Sequence, residues 1–103
     1  MSKLNHKSDR VLQELALILT RLEADEAYDV LQALLTVQER AKLALRWKLV
    51  CMLEKGVTQR AIATGLGISL CKITRGSHEL KYGPAAFRKA VRHAVKGKEK
   101  LHV

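Results

Sequence analysis

The sequence has little of what marks membrane, secreted or metal-binding proteins. It contains two cysteines and one proline, and aromatic residues make up only 4% of the chain. No stretch approaches the roughly 18 uninterrupted apolar residues of a membrane span, and the opening MSKLNHKSDR lacks the apolar segment of a signal peptide. Cys51 and Cys71 are too few and too far apart for a disulfide framework or a paired-cysteine zinc motif, and the histidines lack metal-ligand spacing. We therefore expect a soluble cytoplasmic protein with reduced cysteines and no bound metal.

Signals of catalysis are missing as well. Ser, His and Asp do not fall into a recognisable nucleophile spacing, there is no phosphate-binding glycine loop, and carboxylates do not cluster. Alternating β-branched runs, which predict strands, are also absent. The sequence therefore predicts an all-α protein that is not an enzyme.

Acidic residues are scarce in the second part of the chain. Residues 37–103 hold fifteen Lys and Arg against four Asp and Glu, whereas residues 1–36 hold four against six. The whole chain carries a net charge of +9. A basic domain of this kind has the electrostatic footprint of a protein that binds the phosphate backbone of nucleic acid. A solvated basic face, or attraction to an anionic membrane surface, would leave the same composition.

Helical periodicity runs almost throughout, and we expect one domain over residues 1–96 with a disordered basic tail over 97–103. Thr36 and Glu39 form a capping box that predicts a third helix to about Lys55, ended by Gly56. Pro84 is expected in the first turn of a last helix. The third helix is apolar on most sides, which is more than one core face can use. We therefore predict an obligate dimer.

The most informative stretch is QRAIATGLGISLCKITRGSH, residues 59–78, within a predicted helix-turn-helix over about 58–77. Ala63 is the small residue required where two short helices cross, and Gly67 tolerates the positive φ of a sharp turn. Thr58 and Ser69 are expected to cap the two helices. The apolar residues expected to form the shared core are Ile62, Leu66, Ile68 and Ile73. An ordinary helical hairpin uses the same turn chemistry.

Two groups of residues in this motif are predicted to contact DNA. Gln59 and Arg60 begin the first helix, where side chains and helix-terminal amides clasp phosphates. The start of the second, reading helix is expected to face the major groove, with Lys72 bonded to a guanine edge or to a phosphate. The residues predicted there are Ser69, Leu70, Cys71, Lys72 and Thr74.

Three segments, TVQERAKLALRWK, KGVTQRAIA and above all ITRGSHELK, resemble the bacterial Trp repressor family over roughly residues 28–84. The resemblance implies an intertwined homodimer with six helices per chain. It also implies binding to a pseudo-palindromic double-stranded DNA operator, with L-tryptophan as a co-repressor that orients the reading heads. Most of the implied effector pocket falls on Thr36, Arg46, Arg75 and Gly76. The resemblance assigns Arg46 to stacking on the indole, Arg75 to the ligand carboxylate, and Gly76 to leaving room for the ring.

Three further positions belong to the implied effector pocket: Ala33, Leu35 and Glu79. The family has a leucine where this chain has Ala33, and a serine near the ligand amine where it has Glu79. A carboxylate at position 79 either binds the ligand ammonium or pairs with Arg75 one helical turn earlier. Without the resemblance, Gly76 would be interpreted as the end of the reading helix, and Arg46 as a partner of Glu39 or Glu54 or as an exposed side chain.

The sequence thus predicts a dimeric, sequence-specific transcriptional repressor that is controlled by L-tryptophan. Two alternatives stay open: a constitutive DNA-binding regulator without an effector, and the targeting part of a mobile-element protein.

Overall fold

The computed structural model describes residues 3–97, with side chains from residue 7 onward, and this part of the chain is entirely helical apart from its turns. Six helices follow one another: α1 (Lys3–Leu19), α2 (Ala24–Leu34), α3 (Val37–Glu54), α4 (Gln59–Leu66), α5 (Leu70–Tyr82) and α6 (Ala85–Lys96). The all-α prediction with six helices is confirmed. The predicted tail lies outside the described residues, except for Gly97, whose N–H donates to the His93 carbonyl at 2.8 Å and closes α6.

The chain divides into two compact units, Met1–Arg40 and Ala41–Val103. Within the first, the predicted capping box is confirmed: the Glu39 N–H donates to Thr36 Oγ1 at 3.1 Å, and the Thr36 N–H donates to Glu39 Oε1 at 2.9 Å. No side chain described in this unit is fully buried. Large apolar residues of the unit are left with much of their surface in water: Val11, Leu12, Leu17, Ile18, Tyr28, Leu34 and Val37.

The second unit is organised around the crossing of α4 and α5. Leu49 of α3, Ile62 of α4 and Ile73 of α5 form its buried cluster. The partly buried residues packed on that cluster are Met52, Leu53, Val57, Ala63, Leu66 and Ile68. The core residues predicted from the motif are therefore confirmed. Val91 of α6 is also completely buried.

The turns of this unit follow the predicted chemistry with one exception. Gly67 has φ +64°, and its N–H donates to the Ala63 carbonyl, so the left-handed turn between α4 and α5 is confirmed. Thr58 Oγ1 accepts from the Ala61 N–H at 3.1 Å and caps α4 as predicted. The cap predicted at Ser69 is wrong, because its side chain makes no capping hydrogen bond although its backbone occupies the N-cap position of α5. Pro84 stands at the N-cap of α6, one residue before the predicted first turn.

Candidate nucleic-acid interface and adjoining cavity

The N-terminal ends of α4 and α5 form the candidate nucleic-acid interface. Neither helix has an acidic residue in its first turn, so the positive end of each helix dipole is not offset there. Gln59 and Arg60 are both exposed at the start of α4. Because Thr58 caps only one of the terminal amides, others at this end remain available to an anion.

The start of α5 is equally exposed. Ser69, Cys71, Lys72 and Thr74 are exposed, and Leu70 keeps 55% of its surface in water. The Thr74 hydroxyl donates to the Leu70 carbonyl at 2.9 Å, which leaves its oxygen as an acceptor. The exposed apolar surface of this leucine is in unfavourable contact with water, which packing against a thymine methyl would relieve.

A cavity of about 570 Å³ lies between α3, α5 and α6 of the second unit and shares Lys72 with this interface. Four of the predicted effector residues line it: Arg46, Arg75, Gly76 and Glu79. The remaining lining residues are Lys42, Leu43, Leu45, Trp47, Leu49, Val50, Ile68, Lys72 and Phe87. The walls are mainly apolar, and the charged groups are four cations and one carboxylate. Such a cavity suits an apolar molecule that also carries a carboxylate.

Gly76 stands where α5 approaches α3. A Cβ at this position would lie 3.3 Å from Val50 Cγ1, which is tighter than ordinary contact, and 3.4 Å from Leu49 Cδ2, at the lower limit of ordinary contact. The helix continues past Gly76 to Tyr82, so the alternative that Gly76 ends α5 is wrong. The glycine therefore permits a close approach of two helices in addition to lying in the cavity wall, a role that its sequence position did not reveal.

The charged groups of the cavity are not joined to one another. Among residues 7–97, no ion pair links Arg75 to Glu79. Glu79 instead turns toward the end of its helix, where its Oε2 lies 2.6 Å from the position that a Cβ on Gly83 would take. Glu54 forms ion pairs with Arg88 at 3.7 Å and with Arg92 at 3.6 Å, and it forms none with Arg46. Both arginines that line the cavity are exposed.

The other three predicted effector residues belong to the first unit. Ala33 lies in the last turn of α2. Leu35 is the C-cap of the same helix, and its N–H donates to the Leu31 carbonyl at 3.1 Å. Thr36 is engaged in the capping box of α3. Their assignment to the effector remains a prediction.

Sequence reasoning missed several lining residues. Leu43 and Lys42 precede Arg46 by three and four positions, and Lys72 precedes Arg75 by three, so helical spacing was a usable signal for all of them. Phe87 had no such signal, because its place in the wall depends on how α6 packs. Trp47 follows Arg46 directly and reaches the cavity with 42% of its surface exposed.

Two other features, a metal site and a membrane-spanning helix, are not found among the described residues. No group of three or more His, Cys, Asp or Glu side chains there could hold a metal ion. None of the helices in the same range combines the length and apolarity needed to cross a membrane.

A family model and several curated proteins that match this chain all concern one family. A family model described as Trp repressor protein matches residues 9–95. A Trp operon repressor homolog of Vibrio atlanticus is 39% identical over 70 residues, which cover 67% of this chain and 71% of that protein. One from Chlamydia caviae is 34% identical over 76 residues, covering 72% and 75%. One from Pasteurella multocida is 42% identical over 60 residues, covering 57% and 59%. No solved structure matches the chain significantly.

Proposed function

The chain belongs to the Trp repressor protein family, and from this premise we propose that it is a sequence-specific, DNA-binding transcriptional repressor of the cytoplasm. It acts as a homodimer and takes L-tryptophan as its co-repressor. The observation that carries the proposal is the cavity that Arg46, Arg75, Gly76 and Glu79 line together with Lys72, which belongs to the exposed start of α5.

DNA binding is supported by charge and exposure. The α4 end contributes phosphate contacts through Gln59, Arg60 and its terminal amides, since nothing acidic opposes an anion there. The α5 end presents side chains that differ in chemistry and so read sequence. Lys72 reaches a guanine edge, Leu70 and Cys71 reach thymine methyls, and Ser69 and Thr74 supply hydroxyl oxygens.

Dimerisation is supported by the amount of apolar surface left in water. Leu43 and Trp47 on α3 keep 46% and 42% of their surfaces exposed, and the first unit has no fully buried side chain among those described. Surface of this kind is stabilised when a second copy covers it. A twofold dimer would present two reading helices to a pseudo-palindromic operator, with half-sites about one helical turn apart.

The cavity supports a zwitterionic ligand with a flat apolar side chain. Planar guanidinium groups stack on aromatic rings, so Arg46 is assigned to the indole, and Arg75 to the carboxylate through paired N–H donors. Glu79 is assigned to the ammonium, because no other carboxylate lines the cavity. Ala33, Leu35 and Thr36 are also proposed as effector contacts, on the family resemblance alone.

Co-repression follows from the elements that a ligand would touch. The cavity wall includes α3, which carries much of the core, and α5, which carries the reading residues. A ligand bound to both helices favours one orientation of α5, and by linkage DNA would raise the affinity for the ligand by the same factor. A constitutive regulator would lack this coupling.

Calorimetric titration of the purified protein with L-tryptophan tests the proposal. We expect one site per chain, and a stabilisation of about 2.7 kcal/mol in a thermal melt at one hundred times the Kd. Arg75→Ala should abolish the heat, whereas the matched control Arg60→Ala removes an exposed arginine outside the cavity and should leave it intact. No heat at millimolar L-tryptophan would refute effector control. Sedimentation as a monomer at micromolar concentration would refute the dimer.

A further inference from the structure

The last helix carries a second strongly charged surface. Five basic side chains lie along one face of α6, the α6 basic face: Arg88, Lys89, Arg92, His93 and Lys96. Each of them has another member three or four residues away, as neighbours on one helix face do, and the opposite side of the helix buries Val91 completely. The helix contains no acidic residue.

Only one acidic side chain is paired with this face in the described residues. Glu54 at the end of α3 binds both Arg88 and Arg92, so one carboxylate faces two guanidinium groups. The two arginine side chains are half-exposed, with 47% and 53% of their surfaces in water, whereas the Glu54 side chain is 20% exposed. Neither Lys89 nor Lys96 has an acidic partner within 4.0 Å in that range. Within residues 41–97 the face therefore keeps an excess of positive charge that the paired Glu54 does not balance.

The ion pairs also locate the face relative to the candidate nucleic-acid interface. Glu54 precedes Thr58, the cap of α4, by four residues, and a chain of that length spans at most about 15 Å. This is less than half of the roughly 34 Å turn of B-form DNA. Through Glu54, the part of the α6 basic face that holds Arg88 and Arg92 is therefore anchored within less than one turn of DNA from the start of α4.

We propose that the α6 basic face is a second DNA-backbone contact, which clasps phosphates beside those held by the start of α4. The inference rests on the proposed DNA binding. A second copy of the chain is a poor occupant for this face, because two faces with only positive side chains repel each other. The contact carries no sequence information, since its lysines and arginines meet phosphates only.

The test is the salt dependence of binding to a mixed-sequence duplex of about 30 base pairs, measured by fluorescence anisotropy. The double variant Lys89→Gln/Lys96→Gln removes two cations that have no part in the Glu54 pairs. Each lost phosphate contact should reduce the slope of log K against log salt by about 0.9, so the variant should be flatter by about 1.8 for each chain of the dimer, about 3.6 in all, and weaker at low salt. The control Lys7→Gln/Arg21→Gln removes the same charge from exposed positions in the first unit and should leave the slope unchanged.

Different results overturn different claims. If the wild-type protein does not bind the duplex either with or without saturating L-tryptophan, the proposed DNA binding is wrong. If the wild type binds and both double variants lose affinity and slope equally, the charge acts only through the overall field and the α6 contact is refuted. It is also refuted if only binding to phosphatidylserine vesicles responds to Lys89→Gln/Lys96→Gln. Melting curves of the variants should coincide with that of the wild type.

Discussion

Replacing Gly76 with alanine separates packing from ligand binding at the point where α5 approaches α3. The added Cβ would lie 3.3 Å from Val50 Cγ1 and 3.4 Å and 3.5 Å from Leu49 Cδ2 and Cγ. Both neighbours are buried, with 5% and 4% of their surfaces exposed, so they can yield only by disturbing the core. Overpacking by a methyl group costs about 1–3 kcal/mol, and alanine regains about 1 kcal/mol of helix propensity. The net loss of stability should therefore be about 0–2 kcal/mol.

The loss of affinity for L-tryptophan should be larger than this small loss of stability suggests. Gly76 lines the cavity, so its new methyl group stands in the wall that the ligand meets. We expect the Kd for L-tryptophan to rise by on the order of tenfold, which corresponds to about 1.4 kcal/mol. Denaturant unfolding gives the change in stability, and calorimetry on the same preparation gives the change in affinity.

Gly65 provides a matched control for this substitution. It lies in the last turn of α4, outside the cavity lining, and a Cβ there would meet nothing within 4 Å. Gly65→Ala should therefore stabilise the protein by up to about 1 kcal/mol and leave the affinity for L-tryptophan unchanged. The reasoning fails if Gly76→Ala is as stable as Gly65→Ala and binds L-tryptophan as tightly as the wild type.

Further substitutions test the caps, the effector contacts and the reading helix. Thr58→Ala should lower the free energy of unfolding by about 1 kcal/mol, because it removes the oxygen that accepts from Ala61, whereas Ser69→Ala should change it by less than about 0.5 kcal/mol; equal losses in denaturant unfolding would contradict this. Glu79→Gln should lower the affinity for L-tryptophan, measured by calorimetry, but not the affinity for indole-3-propionate, which lacks the ammonium group. Equal losses of affinity for the two ligands would show that Glu79 does not bind the ammonium. Lys72→Ala should relax the preference for one base pair in a binding assay over variant operators. A uniform loss across sequences, with a salt slope flatter by about one unit, would instead identify Lys72 as a phosphate contact.

Much of the fold was predictable because local chemistry determines it. Gly67 tolerates the positive φ that the sharp turn requires, and Thr58 has a hydroxyl oxygen that can accept from an amide at the start of α4. Ile62 and Ile73 lie where the apolar faces of α4 and α5 pack against each other. Ser69 shows the limit of this reasoning. Its residue type and backbone suit a cap, but the bond depends on a side-chain rotation that the sequence does not determine.

The candidate site was predictable only where its residues share a helix. Arg75, Gly76 and Glu79 follow one another on α5, and the family resemblance drew attention to them together with Arg46. Phe87 and the two ion pairs of Glu54 depend on how α6 packs, which no spacing within one helix reports. The same packing brings the α6 basic face close to the chain segment that leads into α4.

The most direct test of the account is selection of DNA from a random duplex pool by the purified protein, with and without saturating L-tryptophan. The account predicts enrichment of a pseudo-palindrome with half-sites about one helical turn apart, and predicts it only when L-tryptophan is present. Equal enrichment without L-tryptophan would contradict co-repression, and the absence of any enriched sequence under both conditions would contradict sequence-specific repression itself.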